Sequence, residues 1–136
     1  MRLGQKKYLL AMISIIAILI IAGSFIPHFY SINNLLNVMR QSSVVGICAI
    51  GTTLVVIILG IDLSIGGVLS FTAMICGQLM LSNVGILISA LIALVVGIIF
   101  GVFNGILIAK IDVPPFIATL AVGKVASGLA LVISQG

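Results

Sequence analysis

The hydrophobic positions of this chain fall into five long runs, separated by polar or helix-breaking residues. The runs cover residues 9–26, 44–61, 65–81, 84–109 and 116–133. Because a helix needs about 20 mostly apolar residues to cross the hydrocarbon of a bilayer, each run predicts a membrane-spanning helix. The pattern therefore predicts an all-α, polytopic transmembrane helix bundle of about five spans, with residues 1–136 forming part of one membrane domain.

Composition points to the same environment. Of 136 residues, 62% are hydrophobic and 6% are charged, whereas an ordinary soluble domain has about a quarter of its residues charged. This small number of charges cannot give a folded domain a polar surface. The surface must therefore meet the lipid bilayer. The net charge of +4 comes from cations scattered along the chain, a distribution that predicts no nucleic-acid partner.

Cations at the start of the chain predict its orientation. Arg2, Lys6 and Lys7 precede the first run, and the positive-inside bias then predicts a cytoplasmic N-terminus. Alternating spans return the chain to the cytoplasm near Asp62 and again near Lys110. A secretory signal peptide starts in the same way, but its apolar core has only about 7 to 15 residues. We therefore expect an uncleaved first helix.

Two patterns of residue spacing concern helix surfaces. Residues 32–41 place apolar and polar side chains on opposite sides of a helix, which predicts a short amphipathic helix at the outer interface, with a polar loop as the open alternative. In the fourth and third runs, small residues recur at about every fourth position, which predicts close helix packing in lipid. The glycines of these two stripes are Gly97, Gly101 and Gly105, and Gly66 and Gly77.

Four polar residues near the predicted spans are candidates for a substrate path, because polar groups at membrane depth are costly and tend to face a bundle interior or a wet cavity. They are Asp62, Ser64, Asn104 and Thr119. Each also has a structural alternative. Asp62 or Ser64 can cap the third helix, Asn104 can bond across a helix interface, and Thr119 can bond to its own backbone.

Lys124 is the fifth candidate for the path, and it lies near the middle of the last run. An ammonium group at that depth must snorkel, pair with an anion or line a wet cavity. The sequence has only two acidic residues. The pairing alternative therefore predicts a partner in another segment or subunit.

Nothing in the sequence indicates catalysis on this chain. The single histidine, His28, is far in sequence from either aspartate, and no set of nucleophile, base and orienting residue is present. Cys48 and Cys76 lie in apolar runs without metal-ligand or redox spacing, and no GxxxxGK[ST] phosphate loop occurs. We expect no enzyme activity, no cofactor and no metal ion, and we expect ATP hydrolysis to belong to a partner.

An ordered series of short segments resembles a known family. The most specific are Gly-Ile-Asp-Leu-Ser at residues 60–64 and Phe-Ile-Ala-Thr-Leu at residues 116–120. They are accompanied by residues 31–35, 51–55, 104–105 and 128–130. This series resembles the permease subunits of the ribose, xylose and galactose group of bacterial ABC importers.

The resemblance implies an all-helical permease of the bacterial cytoplasmic (inner) membrane for a monosaccharide such as ribose or xylose. It implies as partners a second permease copy or a C-terminal permease fragment, cytoplasmic ATPase subunits and an extracytoplasmic sugar-binding protein. Members of the group are well over twice this length, which implies that this chain is the N-terminal part, whether truncated, split or an artificial fragment. The alternatives are a small stand-alone membrane protein, acting as a channel or complex modulator, and a nonfunctional remnant.

One position departs from the family pattern. Members usually carry a basic residue directly before the Gly-Leu-Ala segment, where this chain has Ser127, with Lys124 one turn earlier. Either the charge has moved along the same helical face or the segment has drifted.

Overall fold

The computed structural model describes residues 3–135, and all regular secondary structure in that range is α-helical. Arg2 and Gly136 lie outside the described residues, and so does the side chain of Lys6. Four of the helices are long and apolar enough to cross a membrane, and the third is a shorter apolar helix of 17 residues. The predicted all-α polytopic fold is confirmed. The helices are α1 (Leu3–Ser24), α2 (Ile32–Ile57), α3 (Ile65–Leu81), α4 (Ile86–Ala109) and α5 (Pro115–Ser134).

The second helix differs from the sequence prediction at both ends. It runs without interruption over Ile32–Ile57, so the predicted separate interfacial helix before a span at residues 44–61 is wrong. No proline interrupts this stretch, and its serines are tolerated because Ser43 Oγ donates back to the Met39 carbonyl oxygen at 2.8 Å. At the other end the helix stops four residues early, and residues 58–64 are not helical.

The chain divides into two compact units, Met1–Ile47 and Cys48–Gly136. In the first unit, the turn after α1 folds back on the end of that helix. Tyr30 Oη donates a hydrogen bond of 2.7 Å to the carbonyl oxygen of Ile20. Gly23 is buried beneath this turn, where a Cβ would lie 2.9 Å from Tyr30 Oη.

The second unit is built around α3, which packs against both α4 and α5. Two contacts show that α3 and α5 run parallel. The Leu63 amide, just before α3, bonds to Thr119 near the start of α5, and Gln78 near the end of α3 bonds to Ile133 near the end of α5. A residue of α3 and the residue of α5 that lies beside it are therefore about 56 positions apart in sequence.

The fourth helix runs antiparallel to α3. Asn104, near the end of α4, bonds to Ser64 at the start of α3. Further along, the rings of Phe71 and Phe100 meet edge to face with centroids 5.5 Å apart. These pairings bring the end of α4 beside the starts of α3 and α5.

The predicted packing glycines do not make the closest helix contact. Only Gly97 among them has an atom of this chain within 4 Å of a Cβ, namely Thr72 Cγ2 at 3.7 Å. In the described part of the chain a Cβ on any of the other four would meet nothing within 4 Å, so their role in packing stays a prediction. These four are Gly66, Gly77, Gly101 and Gly105.

Candidate functional site

The end of α2 and the start of α3 are separated by a non-helical segment, residues 58–64. Backbone groups outside a regular helix must find other partners when they are away from water. The amides of Leu63 and Ser64 bond to the side chains of Thr119 and Asp62, and Asn104 bonds to the Ser64 hydroxyl. We call Asp62, Ser64, Asn104 and Thr119 the break cluster.

The carboxylate of Asp62 organises the start of α3. Its Oδ1 accepts a hydrogen bond from the Ser64 amide at 2.7 Å and another from Ser64 Oγ at 2.6 Å. This arrangement is a local turn in which an aspartate binds the backbone two residues ahead. Of the two predicted capping groups, the carboxylate is therefore the one that accepts a backbone amide, and the Ser64 hydroxyl does not.

Asn104 connects this turn to α4. Its Nδ2 donates to Ser64 Oγ at 2.9 Å, so donation runs from Asn104 to Ser64 and from Ser64 to Asp62. Asn104 is 7% exposed and Ser64 is 3% exposed. The bond from Asn104 to a neighbouring helix, which was one of the two alternatives for this residue, is thus present at the start of α3. Asn104 Oδ1 is buried without a hydrogen-bond partner in the described part of the chain.

Thr119 connects the same segment to α5. Its hydroxyl oxygen accepts from the Leu63 amide at 3.1 Å. It also lies 2.8 Å from the Pro115 carbonyl oxygen and 3.2 Å from that of Ile61, and its single proton can bond to either. Thr119 can therefore bond to its own helix backbone at Pro115, the alternative that the sequence left open, while it also accepts the Leu63 amide of the break.

Lys124 lies apart from the other four candidates. It is exposed on α5, whereas Ala118, Val122 and Ala126 on the same helix are buried. Within residues 3–135 the structure contains no ion pair for Lys124. Its neighbour Ser127 is half-buried and donates to the Gly123 carbonyl oxygen at 2.9 Å.

A glycine pair missed by the sequence analysis brings α5 against the break. A Cβ at Gly67 would overlap the carbonyl oxygen of Gly123, and a Cβ at Gly123 would lie 2.9 Å from Ser64 Cα. Both glycines are buried. Their contact lets the Ser64 backbone approach α5, which places Thr119 within reach of the break.

The break cluster contains carboxylate, hydroxyl and amide groups, which are suited to hydrogen bonding. Most of these groups bond to one another or to the backbone, so the cluster first of all fixes a non-helical segment against two helices. The half-buried carboxylate of Asp62 remains accessible to a further partner, and Asn104 Oδ1 is buried without one in the described part of the chain. In the described residues, no three His, Cys, Asp or Glu side chains are grouped so as to hold a metal ion.

Long apolar helices around a largely buried polar break are typical of a multi-pass membrane protein. Residues 34–136 match the family described as branched-chain amino acid transport system / permease component, and the chain belongs to this family. No solved structure matches the chain.

The curated relatives are named as permeases of sugar import and of related uptake systems. The chain is 37% identical over 134 residues to the ribose import permease protein of Escherichia coli (strain K12), covering 98% of this chain and 41% of the relative. It is 37% identical over 124 residues to the D-allose transport system permease protein of the same strain, covering 89% and 38%.

A third relative is the autoinducer 2 import system permease protein of Yersinia pseudotuberculosis, which is 29% identical over 126 residues, covering 93% of this chain and 36% of the relative. The chain thus spans about two fifths of the length of these relatives. The resemblance to the N-terminal part of sugar-import permeases is confirmed.

Proposed function

We propose that this chain is a membrane-spanning component of an ATP-driven importer for a monosaccharide such as ribose or xylose. The observation that carries this proposal is the similarity to the ribose import permease protein across 98% of the chain. The relatives named for D-allose and autoinducer 2 support a small polar substrate as the general class. The chain supplies helices and path walls, and ATP is hydrolysed on a separate subunit.

The proposed setting is the bacterial inner membrane, with the N-terminus in the cytoplasm. In that orientation the break cluster lies towards the cytoplasmic side, as does the turn between α4 and α5. The proposed partners are a second permease copy or a C-terminal permease fragment, cytoplasmic ATPase subunits and an extracytoplasmic sugar-binding protein. The positions of Lys7 and Lys110 support this orientation through the positive-inside bias.

Within this function, the break cluster has two proposed roles. Ser64 and Thr119 hold the break against α4 and α5, since both are buried and bonded to neighbouring groups. The half-buried carboxylate of Asp62 keeps an oxygen available for a hydroxyl-bearing substrate or a water molecule, whereas the buried Asn104 joins α4 to Ser64. A hydroxyl group is a suitable partner because it donates to such oxygens.

A membrane pull-down tests the proposal. The tagged chain is coexpressed with its genomic neighbours, solubilised and analysed for co-purifying proteins, with an untagged chain as the control. Recovery of an ATPase together with a C-terminal permease fragment supports the importer, and uptake of labelled ribose or xylose by the same cells then identifies the sugar.

Two other outcomes contradict the importer. A chain that is stable in the membrane but recovers neither protein is a stand-alone membrane protein. A chain that fails to accumulate even with its neighbours present is a remnant.

A further inference from the structure

Lys124 occupies the middle of α5. The helix covers Pro115–Ser134, so Lys124 lies about 14 Å from its start at 1.5 Å per residue. An unpaired lysine at the centre of a spanning helix is costly to insert into a bilayer. Such a residue is retained where its charge is stabilised by water or by an opposite charge.

The position of Lys124 on α5 shows where that stabilising group must lie. The buried residues Ala118, Val122 and Ala126 mark the side that packs against α3 and α4. At 100° per residue, Lys124 lies roughly opposite this side. Its charge therefore points away from the second unit, towards a neighbour that this unit does not supply.

The surroundings of Lys124 favour a protein neighbour over a water-filled path. On the outward side of α5, Lys124 is joined by Ala, Gly, Ile and Leu side chains. Ser127, at the edge of this face, already donates its hydroxyl to the Gly123 carbonyl oxygen, so the face offers few groups for hydrogen bonding. A path for a hydroxyl-rich sugar needs several such groups. The apolar residues that share this face with Lys124 are Ile117, Leu120, Ala121, Gly128 and Leu131.

Small residues lie on both sides of the charge. Ala121 is three residues before Lys124, and Gly128 is four residues after it. Both positions are exposed, and a Cβ on Gly128 would meet no atom of the described chain within 4 Å. Small residues at this spacing let a second helix approach the backbone closely. We call Ala121, Lys124 and Gly128 the outward face of α5.

We propose that the outward face of α5 packs against a further transmembrane helix of the assembled permease, and that a carboxylate on that helix pairs with Lys124. This proposal rests on the proposed function, because it requires other permease segments. Charge complementarity is the reason to expect a carboxylate. In lipid, an acidic group and Lys124 each offset the cost of burying the other.

A second copy of this chain does not supply that carboxylate well. Its acidic residues are Asp62 and Asp112. Asp62 bonds to Ser64 and lies one residue before the level of Thr119, about 9 Å from the level of Lys124 along the helix. Asp112 lies in the turn before α5. Because a twofold axis along the membrane normal preserves depth, neither aspartate of a second copy reaches the level of Lys124.

Carbodiimide cross-linking tests this pairing. Membranes from the native host, expressing the tagged chain with the remaining importer genes, are treated with dicyclohexylcarbodiimide. This reagent converts a buried carboxyl group into an O-acylisourea, and an adjacent unprotonated lysine amine then displaces dicyclohexylurea to form an amide. Mass spectrometry is expected to find Lys124 linked to an acidic residue in a transmembrane segment of the permease that lies outside residues 1–136.

Matched variants check the geometry. Lys124→Arg keeps the charge but removes the reactive amine, so the link should disappear while the chain still accumulates. Gly128→Leu should reduce the link severalfold because it blocks close approach. Val125→Leu, at a position that is 59% exposed outside the outward face, should leave the link unchanged.

Three results would overturn the proposal. A link to Asp62 or Asp112 of a second copy would assign the face to self-association. Acetylation of Lys124 by sulfosuccinimidyl acetate, as readily as Lys110, would assign it to a water-filled path. The absence of both reactions would show that no carboxylate lies within reach. If an ATPase co-purifies in any of these cases, the importer stands and only the proposed interface fails.

Discussion

Gly67 of α3 and Gly123 of α5 pack backbone against backbone, so that a Cβ at Gly67 would overlap the Gly123 carbonyl oxygen and lie 2.8 Å from the Gly123 carbonyl carbon. The opposing atoms belong to the main chain, so they cannot move aside as a flexible side chain would. We expect Gly67→Ala to lower the free energy of unfolding by about 1 to 3 kcal/mol, the usual range for overpacking. Thermal denaturation of the detergent-purified chain measures this change.

The adjacent glycine is a matched control for this prediction. Gly66 also lies in the first turn of α3, but a Cβ there would meet no atom of the described residues within 4 Å. Gly66→Ala should therefore be neutral or stabilise the helix by up to about 1 kcal/mol. Equal destabilisation by the two substitutions would contradict the close contact between α3 and α5.

The Gly66 and Gly67 pair also shows the limit of the sequence pattern. Small residues at every fourth position predict a packing surface along one side of α3, and this stays a prediction, but adjacent positions on a helix differ by 100° in direction. Gly67 faces α5, and Gly66, which belonged to the predicted stripe, does not. Which side of a helix meets its neighbour depends on tertiary packing, and spacing along a single helix does not contain that information.

The break cluster was predictable in its members and not in its connections. Asp62, Ser64, Asn104 and Thr119 were selected because polar groups at membrane depth are costly. The bond between Asn104 and Ser64 joins residues that are 40 positions apart, and this pairing follows from the antiparallel packing of α3 and α4. Similarly, Leu63 takes part through its backbone amide. Because every residue except proline has such an amide, the sequence could not identify Leu63 as a member of the site.

Loss of the Ser64 hydroxyl should destabilise the break cluster. Ser64→Ala removes the bond to Asp62 and leaves the buried Asn104 amide without its acceptor. We expect a cost of about 1 to 3 kcal/mol, the penalty for a buried polar group without a partner. Denaturant titration of the purified chain measures it, with Ser70→Ala on an exposed part of α3 as the control.

A double-mutant cycle isolates the bond itself. Combining Ser64→Ala with Asn104→Leu should show a coupling of about 0.6 kcal/mol and at most about 1.7 kcal/mol, the range found for interhelical hydrogen bonds in membranes. Strict additivity of the two substitutions would mean that Asn104 and Ser64 do not interact.

The Thr119 hydroxyl should protect the backbone of the break. Thr119→Val keeps the shape of the side chain but removes the acceptor for the Leu63 amide. Since a typical hydrogen bond contributes about 0.5 to 1.5 kcal/mol, we expect a loss of stability in that range. Hydrogen exchange at the Leu63 amide, followed by NMR, should become severalfold faster.

Two variants check the specificity of this effect. Thr119→Ser retains the hydroxyl and should keep the Leu63 amide protected. Thr53→Val removes a hydroxyl that is exposed and bonds only to the Ala49 carbonyl oxygen, so it should leave Leu63 exchange unchanged. Faster exchange in all three variants would indicate general loosening and not loss of the Thr119 bond.

Replacing Leu59, two residues after the end of α2, should stabilise the chain. It has φ of 59°, the left-handed conformation in which a Cβ is strained, at a cost of about 1 to 2 kcal/mol for residues other than glycine. Its side chain is 94% exposed, so it contributes no contact that would be lost. Helices commonly end on a glycine in this conformation. We therefore expect Leu59→Gly to raise the free energy of unfolding by about 1 kcal/mol.

A glycine substitution at the neighbouring Ile58 shows whether the effect at Leu59 comes from backbone strain. Ile58 is also exposed, but its φ is not positive. Ile58→Gly should therefore destabilise the chain by about 0.5 to 1 kcal/mol through the greater freedom of glycine in the unfolded state. Opposite shifts of the thermal midpoint in the two variants would establish that the end of α2 is strained at Leu59, whereas destabilisation by both would contradict it.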